Sequence, residues 1–177
     1  YTMQSGDTEG DIPFTIDFFD IAGNAGLQRT TLSAGDLLED DETAPTLTTC
    51  SITSNNAEGP TLAIVGNTIT LSIVALENIQ TPTVTIAGNA ATIASGSNGE
   101  KTFTATYVMQ SSDATTAAIE FTVDYKDMAS NDGIQQTALL QDADGAVGFD
   151  KQVPSFTTVS IASNNATDDI LAVPGNT

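Results

Sequence analysis

A chain of 177 residues with 40% hydrophobic side chains is long enough to bury a core and too apolar to stay disordered. Only 4 Lys and Arg stand against 23 Asp and Glu, a formal charge of −19, and this one-sign field repels phosphate backbones and anionic membranes, which excludes nucleic acid as a partner. The absence of histidine and the single cysteine remove His-based triads, most zinc sites and any internal disulfide.

From the start of the chain, Tyr1 to Met3 read as the end of a strand, and Phe14, Ile16 and Phe18 alternate with Thr15 and Asp17 at the period of a half-buried strand. Asp20 to Gly26 carries Gly23, Asn24 and Gly26, which suit a turn, and Gln28 to Leu32 would return as the second arm of a hairpin. Ser33 to Thr43 is acidic and reads as a junction. Next comes a succession of short β-rich runs. They are 47–54 with Cys50 and Ile52 on one face, 68–76 with Ile69, Leu71, Ile73 and Ala75 inward, and 83–87 with Val84 and Ile86 inward. After these, 91–94 is followed by 101–109 with Phe103, Ala105 and Tyr107 inward, 119–125 with Ile119, Phe121, Val123 and Tyr125 inward, and 134–140. A second acidic junction, 141–153, precedes Pro154. Seven short strands with turn signals between them and no helical period predict an all-β sandwich of immunoglobulin-like layout, with a jelly-roll-type sandwich as the alternative. No stretch has the uninterrupted apolar length of a bilayer span, so no membrane insertion is expected of this segment.

The chain repeats itself. Phe121-Thr122-Val123-Asp124 through Asn131 and Gly133 restates Phe14-Thr15-Ile16-Asp17 through Asn24 and Gly26 at an interval of 107 residues, and Ile52 to Ala57 returns as Ile161 to Ala166 at an interval of 109. Cys50 stands where the later copy has Val159, which marks it as a small buried apolar side chain. Self-similarity at a fixed period predicts a tandem array whose modules stack as neighbours. Residues 1–43 would be the C-terminal part of one repeat with its acidic linker, 44–152 a complete repeat, and 153–177 the N-terminal part of the next. Joining tail to head would leave positions equivalent to 69–106 unfilled, so an excerpt of a longer covalent chain is expected, with exchange of a strand between protomers as the alternative.

Ser54-Asn55-Asn56, Leu62-Ala63, Gly66-Asn67-Thr68-Ile69-Thr70-Leu71, Pro82-Thr83-Val84-Thr85-Ile86-Ala87-Gly88 and then Phe121, Asp127, Asn131 and Gly133 together form a pattern that resembles the bacterial-type Ig-like repeats of very large surface proteins. Such repeats occur in adhesins, in surface layers and in hair-like flagellar filaments. The resemblance covers the whole chain and implies an extracellular or cell-surface structural protein whose partners are neighbouring copies of itself, not an enzyme. An adhesin extender stiffened by calcium is the alternative. A carbohydrate-binding accessory module would need an aromatic platform, and with 6% aromatic residues, most at inward positions, none is expected.

Two kinds of candidate site follow. Asp142-Ala143-Asp144-Gly145 alternates carboxylates before a glycine, and with Asp150 and the turn acids Asp127 and Asp132 it can present oxygens to calcium, a hard cation that takes six to eight of them. The competing reading is a solvated acidic linker, since no complete calcium loop is present. Asn165-Ala166-Thr167 is a sequon and makes Asn165 a candidate glycan acceptor. Carboxylate pairs for hydrolysis need one acid desolvated, whereas Asp17 and Asp124 take the outward parity of their strands.

Overall fold

The computed structural model describes residues 1–177 except 34, 36, 141–144, 168–169 and 175–177. Among the described residues the fold is all-β, without a helix, and its sheets are mostly antiparallel. No helix is therefore long and apolar enough to cross a membrane.

Period-two alternation becomes paired strands between residues 47 and 124, whereas the strand expected over Phe14 to Phe18 makes only an isolated bridge and leaves Ile16 and Phe18 half exposed. One sheet contains β3 (Leu47–Ser54), β5 (Thr68–Ile79), β9 (Glu100–Val108) and β8 (Thr92–Ser95), in the order β3-β5-β9-β8. β5 is the central member: Ile52 lies opposite its Leu71, and Ala105 opposite the same Leu71 from the other side. A second sheet runs β10-β6-β7, formed by β10 (Phe121–Asp124), β6 (Thr83–Ile86) and β7 (Asn89–Ala90). The segment expected as a strand over 134–140 contributes only isolated bridges, Gln136 to Val123 and Leu140 to Cys50. The two sheets share one core: Cys50, Ile52, Ile69, Leu71, Ile73, Phe103 and Ala105 from the first meet Val84, Ile86, Phe121 and Val123 from the second. Alternation in β5 is visible in its burial, inward residues buried and their neighbours half-buried, as a two-layer sandwich requires.

The junction after Leu140 is not wholly solvated. Val147 and Phe149 are both fully buried in that same core. Here β11 (Gly148–Phe149) lies parallel to β4 (Leu62–Ala63), while Thr116 bridges Phe149 from the other side.

The N-terminal part is a separate small framework. β1 (Gly10–Asp11) pairs with β2 (Glu39–Asp40), and Phe14 to Arg29 forms a hairpin held by bridges Ile16 to Arg29 and Phe19 to Ala25. That hairpin and the one at 121–136 make the same bonds. The Asp20 carboxylate accepts the Asn24 backbone N–H and side-chain amide, both at 2.8 Å, and the Asp127 carboxylate does the same with Asn131, both at 2.8 Å. The Gln28 side chain reaches Asp17 at 2.8 Å, and Gln135 reaches Asp124 at 2.7 Å. Ser130 takes φ 83°, close to the 90° of Gly23, so the turn keeps its left-handed residue although the glycine is gone. A hydrogen bond from Gln80 Nε2 to Ser130 Oγ at 3.1 Å holds it there.

Both hairpins also seat an aromatic ring on a glycine, Phe18 on Gly26 and Tyr125 on Gly133, leaving no space for a Cβ. We therefore expect Gly133→Ala to displace the Tyr125 ring and lower stability by about 1–3 kcal/mol, the usual cost of overpacking. A urea midpoint within error of the parent would refute that.

Candidate functional site

Three carboxylates converge at one pole of the sandwich. Asp41 comes from the linker after β2, Glu77 from the end of β5 and Asp127 from the turn after β10, and their oxygens lie within 4.8 Å of one another. Each arrives for a local reason. The ladder from β5 to β9 is interrupted between Val74 and Ile79, which places Glu77 on the irregular stretch, with Lys101 fixed nearby by its bond to the Leu76 carbonyl at 2.9 Å. Ile79 bridges Asp127, and Gln80 donates from its backbone to the Lys126 carbonyl and from its side chain to the Asp127 carbonyl, at 2.8 and 2.9 Å. Asn131 then ties in the linker: its side-chain amide donates to the Asp127 carboxylate and to the Asp41 carbonyl, each at 2.8 Å.

Burial differs across the trio. Asp127 is 1% exposed, whereas Asp41 and Glu77 are half-buried. Desolvation first, and then the negative charges of Asp41 and Asp127, hold the Glu77 carboxyl above its ordinary value of 4.5, with Lys101 acting the other way. An acid raised in the folded state costs stability once ionised. The penalty is absent below the ordinary value and complete above the raised one. In a chelating buffer, Glu77→Gln is accordingly expected to be neutral below about pH 4 and to stabilise at pH 7 by up to about 1 kcal/mol. Paired denaturant titrations at the two pH values check the sign.

A set of three converging carboxylates is suited to hard-cation chemistry. Calcium accepts six to eight oxygens at about 2.3–2.6 Å, so water or further acceptors would complete its shell. Next to this pole, burial and the charges of Glu42, Asp7, Glu9 and Asp41 raise Asp40 above the usual carboxylate range, and its Oδ2 is the one buried side-chain oxygen among the described residues without a hydrogen-bond partner.

The acids singled out in the sequence are distributed otherwise. Asp127 is in the trio, while Asp132 is exposed and pairs with Lys126 at 2.7 Å. Asp150 lies at the other pole, its N–H on the Ala63 carbonyl and its carboxylate on the Gln152 N–H. Asp142 and Asp144 lie outside the described residues. Asn165 is half-buried, and its Oδ1 accepts the Thr167 N–H at 2.9 Å, the turn that Asn56 makes with Glu58 at 2.9 Å in the earlier copy.

Sequence reasoning missed Asp41 and Glu77 as partners of Asp127, because nothing short of the register of β5 brings them together. It also missed Asp113, which is 7% exposed and accepts from Gln110 N, Asn89 Nδ2 and Tyr107 OH at 2.7, 3.2 and 3.2 Å. Every one of those donors is protein-internal, so Asp113 organises the loop after β9. The chain matches no family model, no curated protein and no solved structure.

Proposed function

We propose that this chain is a structural protein, a repeating segment of an extracellular fibre, filament or cell-surface lattice built of tandem Ig-like modules, with no catalytic role. The observation that carries the reading is the recurrence of one hairpin, bond for bond, at 14–29 and 121–136. Repeated local chemistry at the interval of a whole sandwich is what a stacked array of similar modules needs. The strand order β3-β5-β9-β8 opposite β10-β6 supports the Ig-like assignment, since it matches the A-B-E-D and F-C neighbours of that sandwich. A charge of −19 with few cations keeps such a polymer soluble and its copies from collapsing on one another.

The test is the mass of the polypeptide from the native assembly, denatured without proteolysis in chelator. A mass many times 18.2 kDa is expected, and a species near 18.2 kDa would end the covalent-array reading.

A second reading, a cell-surface adhesin extender stiffened by calcium, is favoured by the linker acid Asp41 meeting Glu77 and Asp127. On that reading calcium raises the unfolding temperature and straightens the chain in small-angle scattering, and Glu77→Gln abolishes both gains. If calcium changes neither quantity in the parent chain, the extender reading fails while the array reading stands.

A further inference from the structure

The segment following Gly145 is bonded on both flanks. Gly148 and Asp150 donate to the Thr61 and Ala63 carbonyls at 2.9 and 3.0 Å, Phe149 exchanges two bonds with Thr116, and Ile119 donates to the Val147 carbonyl at 2.8 Å. Lys151 then donates from Nζ to the Ser111 and Asp113 carbonyls at 3.0 and 2.7 Å. Five backbone bonds, two fully buried side chains and one lysine thus grip six residues.

Its direction matters as much as its strength. β3 enters beside Ala75, at the pole of Glu77 and Asp127, and its Ser54 end lies opposite Ile69. Val147 begins beside Ile119, Phe149 is opposite Thr116, and Lys151 reaches Ser111 and Asp113, so the chain leaves at the opposite pole. Tension between residues 44 and 152 therefore runs along the strands. β3 is then loaded lengthwise against its seven partners on β5, and β11 lengthwise against β4 and Thr116. Bonds loaded in this way share the load and must fail together, whereas bonds pulled crosswise fail one at a time.

We propose that residues 146–151 are a tension-bearing clasp, which closes the sandwich against force applied along the axis of the chain. The proposal rests on the array reading for the origin of that force and on the geometry above for the resistance.

The full chain carries handles at Ala44→Cys and Gln152→Cys for axial pulling, or at Ala44→Cys and Asn98→Cys for transverse pulling. All three positions are exposed and Cys50 is fully buried. The expected rupture force is at least about twofold higher along the axis, since forced unfolding follows the unfolding rate. Lys151→Gln is expected to speed axial unfolding about tenfold and leave transverse unfolding unchanged. Equal forces in the two geometries, or equal effects of Lys151→Gln in both, would overturn the clasp. A native mass near 18.2 kDa would instead remove the array while leaving these pulling results in force.

Discussion

Phe149→Ala should be the most damaging single truncation in the chain after β10, lowering unfolding free energy by about 3–5 kcal/mol, the range for removing a buried phenyl ring. Phe149 is 1% exposed and shares the core with Val147, yet it comes from a two-residue strand in a stretch dense with acids and glycines. With the ring gone, the cavity opens where β11 meets β4 and Thr116, so little else can collapse to fill it. Phe149→Leu keeps much of the volume and should cost less than about 1.5 kcal/mol. Guanidinium unfolding of both variants checks this, and a loss below about 1 kcal/mol for the alanine variant would show that the segment is merely draped over the module.

The second large effect is expected at Asp127. Its carboxylate takes two N–H donors from Asn131, and its own N–H returns to the Asn131 carbonyl at 3.2 Å, so the side chain and backbone close one turn around a nearly buried charge. Asp127→Ala strands the Asn131 backbone donor and frees the amide that holds Asp41. Hydrogen bonds to a charged group contribute about 1.5–3 kcal/mol each, and relief of repulsion with Asp41 and Glu77 offsets part of that, leaving a net loss of about 2 kcal/mol. Asp127→Asn retains an acceptor oxygen and removes the repulsion, so it should lose less than half as much. If the asparagine variant were as unstable as the alanine one, the charge itself and not the turn would be what the fold requires.

These two residues divide what could be read from the sequence and what could not. β3 fell at 47–54 as its alternation implies, and Cys50, Ile52, Ile69, Leu71, Ile73, Phe103, Phe121 and Val123 face the core because a two-residue period leaves no other choice once one face is dry. The Asp127 turn was legible because its chemistry is local, four residues from acid to asparagine, and occurs twice. Phe149 was hidden. Val147 and Phe149 do alternate, but between glycines and beside Asp150, where composition reads as a loop and only the distant partners Thr61, Ala63 and Thr116 make a strand of them. The acidic trio was hidden for a related reason: Asp41, Glu77 and Asp127 are brought together by the interruption after Val74 and the hand of Asn131, and no spacing encodes either.

The late position of Phe149 also sets an order of events during synthesis. The sheet built on β5 can pair once β9 has emerged, but the interior stays open at one pole until some forty residues later, when Val147 and Phe149 appear. The sandwich is thus completed by its last buried stretch, and the nascent chain cannot seal the interior before Val147 and Phe149 have been made. A recombinant piece that stops at Leu140 would omit the last two core side chains, and a boundary drawn after Lys151 keeps them.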